Sequence, residues 1–240
     1  APADALIDRA GQRLAIAGDH TVVALAGATG SGKSSLFNAL SETEFAKPGV
    51  TRPTTSEAMA VAWGTQAPTR LLDWLQVGGR HVIPPRSTVP DGLVLLDLPD
   101  HDSTEAAHRV TVDRLVKVVD MLVWVVDPQK YADSALHDGY LKPLAGHAAL
   151  MVVALNQVDR LNPEQRRATM ADLRRLLDSE GLAATRLVAV SALRGEGLGP
   201  LRELIADAAR DKEITARRFA ADIAREAALV GEALGSGRSE

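Results

Sequence analysis

The chain has 240 residues, 46% of them hydrophobic, a formal net charge of −4 and no cysteine. That length supports one α/β domain with a proper core plus small appendages. The mild acidity gives no general nucleic-acid surface, and no direct nucleic-acid site is evident. The lack of cysteine excludes disulfides and thiolate zinc sites and suits a reducing, cytoplasmic setting. No apolar run approaches the ~20 residues of a membrane span.

Leu6 to Ala17 reads as an amphipathic helix with Leu6, Ile7, Ala10 and Leu14 on one side. Six apolar runs follow and read as strands: TVVALAG (21–27), EAMAVAW (57–63), LVLLDLP (93–99), MLVWVVD (121–127), LMVVALN (150–156) and RLVAVSA (186–192). Between them, helices are expected from Ser34 and at roughly 104–118, 132–145, 163–179 and 199–210. Strand–helix alternation of this kind implies a mostly parallel sheet covered on both faces. The stretch 64–92 is long for a connection and is expected to be an insertion. It holds a short apolar helix candidate, RLLDWLQV (70–77), then GGRHVIPP. In it Trp74, with Leu71, Leu72 and Leu75, is expected to cover the sheet edge, while Trp63 and Trp124 are expected to be buried in strands. Residues 212–234 read as a further, Ala-rich helix. The expected division is therefore a flanking helix in 1–20, one domain over 21–210 and a C-terminal helix in 211–240. The ending GSGRSE, without cap or turn, suggests a domain excised from a longer protein.

GATGSGKSS follows the first strand and opens the first helix. It matches G-x-x-x-x-G-K-[ST] at Gly27, Gly32, Lys33 and Ser34. Glycines let backbone amides converge on a phosphate, and the helix aims its positive end at the same anion. Gly27, Ala28, Thr29, Gly30, Ser31, Gly32, Lys33, Ser34 and Ser35 form the expected cradle. Lys33 is expected on the β- and γ-phosphates, and the Ser34 hydroxyl on Mg²⁺.

Asn156-Gln157-Val158-Asp159 follows the strand at 150–156. A carboxylate at Asp159 suits guanine, because it accepts from both N1–H and the exocyclic amine. Adenine offers no such donor pair. Asn156 either bonds N7 or ties its loop to the phosphate loop.

These motifs, in this order, resemble the TRAFAC class of P-loop GTPases, near where Era/TrmE-like and bacterial dynamin-like proteins meet. The resemblance covers most of residues 21–210. It implies a three-layer P-loop NTPase fold with a mostly parallel, six-stranded sheet and extra helices at both termini. GTP or GDP with Mg²⁺ is the implied ligand. NQVD resembles the N-K-x-D guanine motif, with Gln157 in place of Lys. Ser191-Ala192-Leu193 resembles the S-A-K/L motif, and the Ala192 amide is expected at the guanine O6.

The resemblance also places a metal-holding D-x-x-G motif at Asp97-Leu98-Pro99-Asp100, with Asp100 where Gly is usual. His101 follows, where relatives carry the group that orients the attacking water. It is read either as that group or as a loop histidine. The first switch is expected in KPGVTRPTTSEA, whose threonine holds Mg²⁺ and the γ-phosphate. Thr55, 21 positions after Ser34, is favoured over Thr54 at 20 and Thr51 at 17. Arg52 reads as a solvated residue in preference to an arginine finger acting in cis. Gly30 stands where potassium-stimulated relatives carry Asn, so potassium stimulation is not expected. The implied activity is slow GTP hydrolysis serving a conformational switch. The alternatives are an assembly module with negligible hydrolysis, or an ATPase. A nucleotide-dependent homodimer is compatible with the resemblance. A membrane or RNA partner would be reached through segments outside this chain.

Overall fold

The computed structural model describes residues 20–46, 58–86, 89–99 and 118–236, apart from the side chains of 135 and 218–236. The expected helix at Leu6–Ala17 and most of that at 104–118 lie outside the described residues, as do Thr51, Arg52, Thr54, Thr55, Asp100 and His101.

In chain order the strands are β1 (Thr21–Gly27), β2 (Met59–Trp63), β3 (Gly79–Ile83), β4 (Leu93–Asp97), β5 (Met121–Val126), β6 (Met151–Leu155) and β7 (Arg186–Ala189). They form one sheet in the order β3-β2-β4-β1-β5-β6-β7. From β4 to β7 neighbouring strands run parallel. β2 pairs antiparallel with β4 and parallel with β3, so β2 and β3 run against the rest.

The sheet therefore has seven strands where six are expected from sequence. The extra one, GRHVI, lies inside the insertion. It begins with Gly, carries Arg80 and His81, and leads to Pro84-Pro85, so it lacks the apolar run that marks the other six. As an edge strand it does not need that run. Its shortness, its exposed Arg80 and the prolines beyond it limit pairing with a further strand.

Among the described residues the longer helical segments are α1 (Lys33–Ser41), α2 (Thr69–Trp74), α3 (134–150), α4 (Pro163–Ser179) and α5 (Leu198–Ser236), beside a short 3₁₀ turn at Val158–Arg160. α4 begins with a capping box, in which Asn162 and Gln165 exchange side-chain-to-backbone bonds, and with Pro163 in its first turn. α3 replaces the regular helix expected at 132–145. It is a short α-turn, a π-helical turn over His137–Leu141 and a 3₁₀ stretch over Lys142–Leu150. Pro143, which has no N–H to donate, and Gly139 and Gly146, which raise the entropic cost of a regular helix, suit this irregular path. The two helices expected at 199–210 and 212–234 are one 39-residue helix, and the expected boundary at 210/211 falls inside it.

Strand side chains alternate between two cores. Val22, Ala24 and Ala26 of β1 join Leu71 and Leu72 of α2, Leu141 and Leu144 of α3, and Leu173 and Leu177 of α4. Val23 and Leu25 join Leu36, Phe37 and Leu40 of α1 and Leu198, Leu201 and Ile205 of α5. The result is three layers. Trp74 and Leu75 are half-buried against the first core, beside Leu71 and Leu72. The insertion thus covers the sheet near its β2–β3 end. Trp124 and Trp63 are buried, on opposite faces. Trp124 lies 5.5 Å from the Tyr140 ring, so truncating it empties the centre of one core. Trp124→Ala is expected to cost about 3–5 kcal/mol of unfolding free energy, read by chemical denaturation at unchanged m-value.

Candidate nucleotide site

The site lies at the C-terminal ends of β1, β4, β6 and β7, where open α/β sheets bind ligands. The loop after β1 needs its glycines. A Cβ on Gly27 would stand 2.4 Å from the Val125 carbonyl oxygen, so β1 and β5 close only over a glycine. Gly32 starts α1 at φ 83°, and a Cβ there would stand 2.4 Å from Asn156 Nδ2. At Gly30, also left-handed at φ 84°, a Cβ would meet nothing within 4 Å. Gly30 is exposed, and the loop leads directly into α1, whose first-turn amides have no intrahelical partners. That cradle fits a phosphate. Ser31 serves it through its backbone: its amide donates to the Ala28 carbonyl at 3.1 Å, and its buried hydroxyl faces Gly27.

Lys33 and Ser34 both meet Asp97 at the end of β4. Lys33 Nζ donates to Asp97 Oδ1 at 2.9 Å, and Ser34 Oγ donates to Oδ2 at 2.8 Å. Lys33 and Asp97 are buried, and a buried pair is held at the cost of desolvating both charges. The sequence places these three residues at the phosphates and the metal. It does not show that they bind one another. A hydroxyl, a carboxylate and a nearby cation are hard oxygen and charge donors, which suits Mg²⁺ beside phosphate.

Asn156 ties loops together in this structure. Its Nδ2 donates to the carbonyls of Ser31 at 3.0 Å and Gly32 at 3.3 Å, and its Oδ1 accepts from the Ala192 amide at 3.1 Å. The Ala192 amide, expected at a guanine O6, is in this structure bound to Asn156. Gln157 sits at φ 61° and its Nε2 donates to the Gly30 carbonyl at 2.8 Å. It reaches over the phosphate loop as a neutral donor.

Asp159 is held by Ser191, whose Oγ donates to Oδ1 at 2.6 Å while accepting from the Arg194 amide at 3.1 Å. Leu193, in the same loop, is 86% exposed. Thr29 is half-buried and Ser35 lies in the first turn of α1.

The structure thus brings together the phosphate loop, Asp97, Asn156, Gln157, Asp159, Ser191 and Ala192. A family model described as 50S ribosome-binding GTPase matches residues 22–157, from β1 through Gln157. The chain belongs to this family of P-loop GTPases. Translation initiation factor IF-2 of Microcystis aeruginosa is 30% identical over 148 residues, 58% of this chain and 14% of that protein. The probable GTP-binding protein EngB of Ruegeria pomeroyi is 25% identical over 197 residues, 78% of this chain and 79% of that one. The chain spans less than a fifth of the two initiation factors it matches, at 14% and 18% of their lengths. In solved structures the same fold occurs in an oligomerised bacterial dynamin pair, with a TM-score of 0.59 at 14% identity. That match covers 95% of this chain and 52% of the other. It also occurs in elongation factor SelB of Methanococcus maripaludis, with a TM-score of 0.52 at 15% identity, covering 79% and 33%.

One residue of this GTPase domain that motif reading missed is Asp127, buried at the end of β5. Its Oδ1 accepts from the amides of Gln129 at 2.8 Å and Lys130 at 3.2 Å, shaping the loop beside the cradle. The signal in the sequence was a lone carboxylate closing an apolar run. Farther along that loop the Tyr131 hydroxyl donates to Asp172 at 2.9 Å. Burial, and then this carboxylate, raise its pKa above the ordinary phenol value.

Removing the Asn156 amide deprives three loops of their tie. Asn156→Ala is expected to weaken guanine-nucleotide binding roughly 10–100-fold, the worth of two or three buried hydrogen bonds. Equilibrium titration with a fluorescent guanosine nucleotide checks this, with circular dichroism confirming the retained fold.

Proposed function

We propose that this GTPase domain binds GTP and hydrolyses it slowly to GDP and phosphate with Mg²⁺, acting as a nucleotide-dependent switch. The observation that carries the reading is Asn156, which holds the phosphate loop, its own loop and the β7 loop in one unit. Phosphate and base are then gripped by a single rigid assembly, which is what selective nucleotide binding requires.

In this reading Lys33 leaves Asp97 and neutralises β- and γ-phosphate charge. The amides of the Gly27–Ser34 loop cradle the same oxygens. Asp159, steadied by Ser191, accepts from guanine N1–H and its amine. Ser34, Asp97 and a switch threonine, Thr55 or Thr54, are the proposed Mg²⁺ ligands, Asp97 through water. Mg²⁺ supplies charge neutralisation between the β- and γ-phosphates. His101 is the proposed group for orienting the attacking water. The switch segments would then differ between GTP and GDP states, as γ-phosphate contacts are made and lost.

A second reading, an assembly module, draws support from the fold shared with proteins in which pairing is described. One is titled as an oligomerised bacterial dynamin pair, and another as chloroplast translocon components whose GTPase activity depends on dimerisation. Single-turnover hydrolysis at rising protein concentration separates the two. A rate independent of concentration supports the switch alone. A rising rate supports a nucleotide-dependent homodimer. No phosphate release under any condition removes hydrolysis from the function.

The base preference has its own test. Asp159→Ala is expected to lose at least tenfold in GDP affinity, with ATP a poor competitor before and after the change. If ATP competes equally with GTP and Asp159→Ala keeps full affinity, the guanine assignment is wrong.

A further inference from the structure

We propose that Glu42 and Arg202 form a mechanical joint that passes nucleotide occupancy from the phosphate-binding helix to the long helix α5. The joint rests on the nucleotide-binding reading above and adds a route by which that site is read out.

α1 is only nine residues long, about 13 Å by helical rise. Its first turn carries Lys33 and Ser34, both bound to Asp97. At its other end Glu42 takes a left-handed conformation, φ 55° and ψ 43°. Only two other non-glycine residues among those described do so. A non-glycine residue held there stores strain, and such strain persists where the surroundings enforce it. The cap is closed by the backbone, with the Glu42 and Thr43 amides both donating to the Asn38 carbonyl, and two arginines flank its side chain. Arg86 of the insertion binds Glu42 Oε2, and Arg202 of α5 lies 3.4 Å from Oε1. Arg202 also donates to the Ala39 carbonyl at 2.8 Å, in the last turn of α1. These groups are half-exposed, so the ion pairs add little stability. What they fix is position: one guanidinium holds both the end of α1 and its strained cap.

Ten residues farther along α5, Lys212 Nζ donates to the His20 carbonyl and, at 2.9 Å, to Asp120 Oδ2. The same Asp120 Oδ2 accepts from the Val22 amide at 2.8 Å, at the start of β1. α5 is thus tied to α1 at Arg202 and to the sheet at Lys212, and between them Ile205 and Ala209 are buried, with Leu198, Leu201 and Ile205 in the second core. Beyond Lys212 the described side chains, Glu213 to Arg217, are all exposed, and the helix continues to Ser236. A shift of α1 carried through Arg202 and the shared core moves this segment of α5 as one body, on the scale of about 1 Å for helix shifts in switching proteins. The two states that drive it are defined at the other end of α1. In one, Lys33 and Ser34 rest on Asp97. In the other they turn to phosphate and metal.

The absence of cysteine makes the test clean. Spin labels are placed at Arg167→Cys on α4 and Ser236→Cys on α5 of the full chain. Their separation is measured by pulsed electron resonance without nucleotide, with GDP–Mg²⁺ and with a non-hydrolysable GTP analogue, beside a nucleotide titration of each sample. The expected result is a reproducible ligand-dependent shift of about 1 Å, the scale of helix shifts in switching proteins. In Arg202→Gln that shift disappears while nucleotide affinity changes less than about threefold. Saturable binding with no shift in the parent overturns the joint alone, as does a shift that survives in Arg202→Gln. Failure of the parent to bind nucleotide overturns the functional reading and the joint with it.

Discussion

A single buried amide group organises the ligand end of this protein. Asn156 lies 125 positions from Ser31 and 36 from Ala192, yet bonds to the backbone of both. An amide side chain suits this junction because it offers donors and an acceptor in one plane, and all are used here. A carboxylate would repel the two carbonyls, and an alkyl chain would remove the bonds to the Ser31 carbonyl and the Ala192 amide. The closeness of the bridge in turn dictates Gly32, since any Cβ there would strike the bridging nitrogen. The glycine pattern of the phosphate loop is thus a packing requirement imposed from β6 as well as a conformational one.

Asn156 can act this way because the sheet supplies the distances. β5 lies between β1 and β6, and the Asn156 amide donates to the Val126 carbonyl at 2.8 Å. The parallel register then delivers the ends of β1 and β6 to the same height. Packing of alternate faces against two helical layers fixes that register, since a one-residue slip would exchange the side chains that each core receives.

Much of this was legible in the sequence. The six apolar strands and α4 stand out because burial on both faces and a capped amphipathic helix both leave strong patterns. The phosphate loop, NQVD and the loop at Ser191 were readable because their chemistry demands particular residues at particular places. β3 was not legible, because an edge strand needs only one neighbour and tolerates Gly, Arg and His. The unity of α5 was hidden by the charged stretch Asp211-Lys212-Glu213, which resembles a boundary but continues a helix without Gly or Pro. The Lys33–Asp97 contact, and the pairing of Ala192 with Asn156, depend on how loops from separate strands meet. No local pattern encodes that.

The substitution of Gln157 for the family's lysine acquires a meaning from these contacts. A lysine would reach the same Gly30 carbonyl and carry a positive charge to the edge of the cradle. Gln157 makes the bond and carries none. The cationic side chain that the described site directs at a polyphosphate is then Lys33, which in this structure binds Asp97. In the proposed function nucleotide binding competes with a buried ion pair, and the site gives up its own charge pairing to accept the ligand's. That exchange makes occupancy a structural event at the first turn of α1, and not merely the filling of a preformed hole.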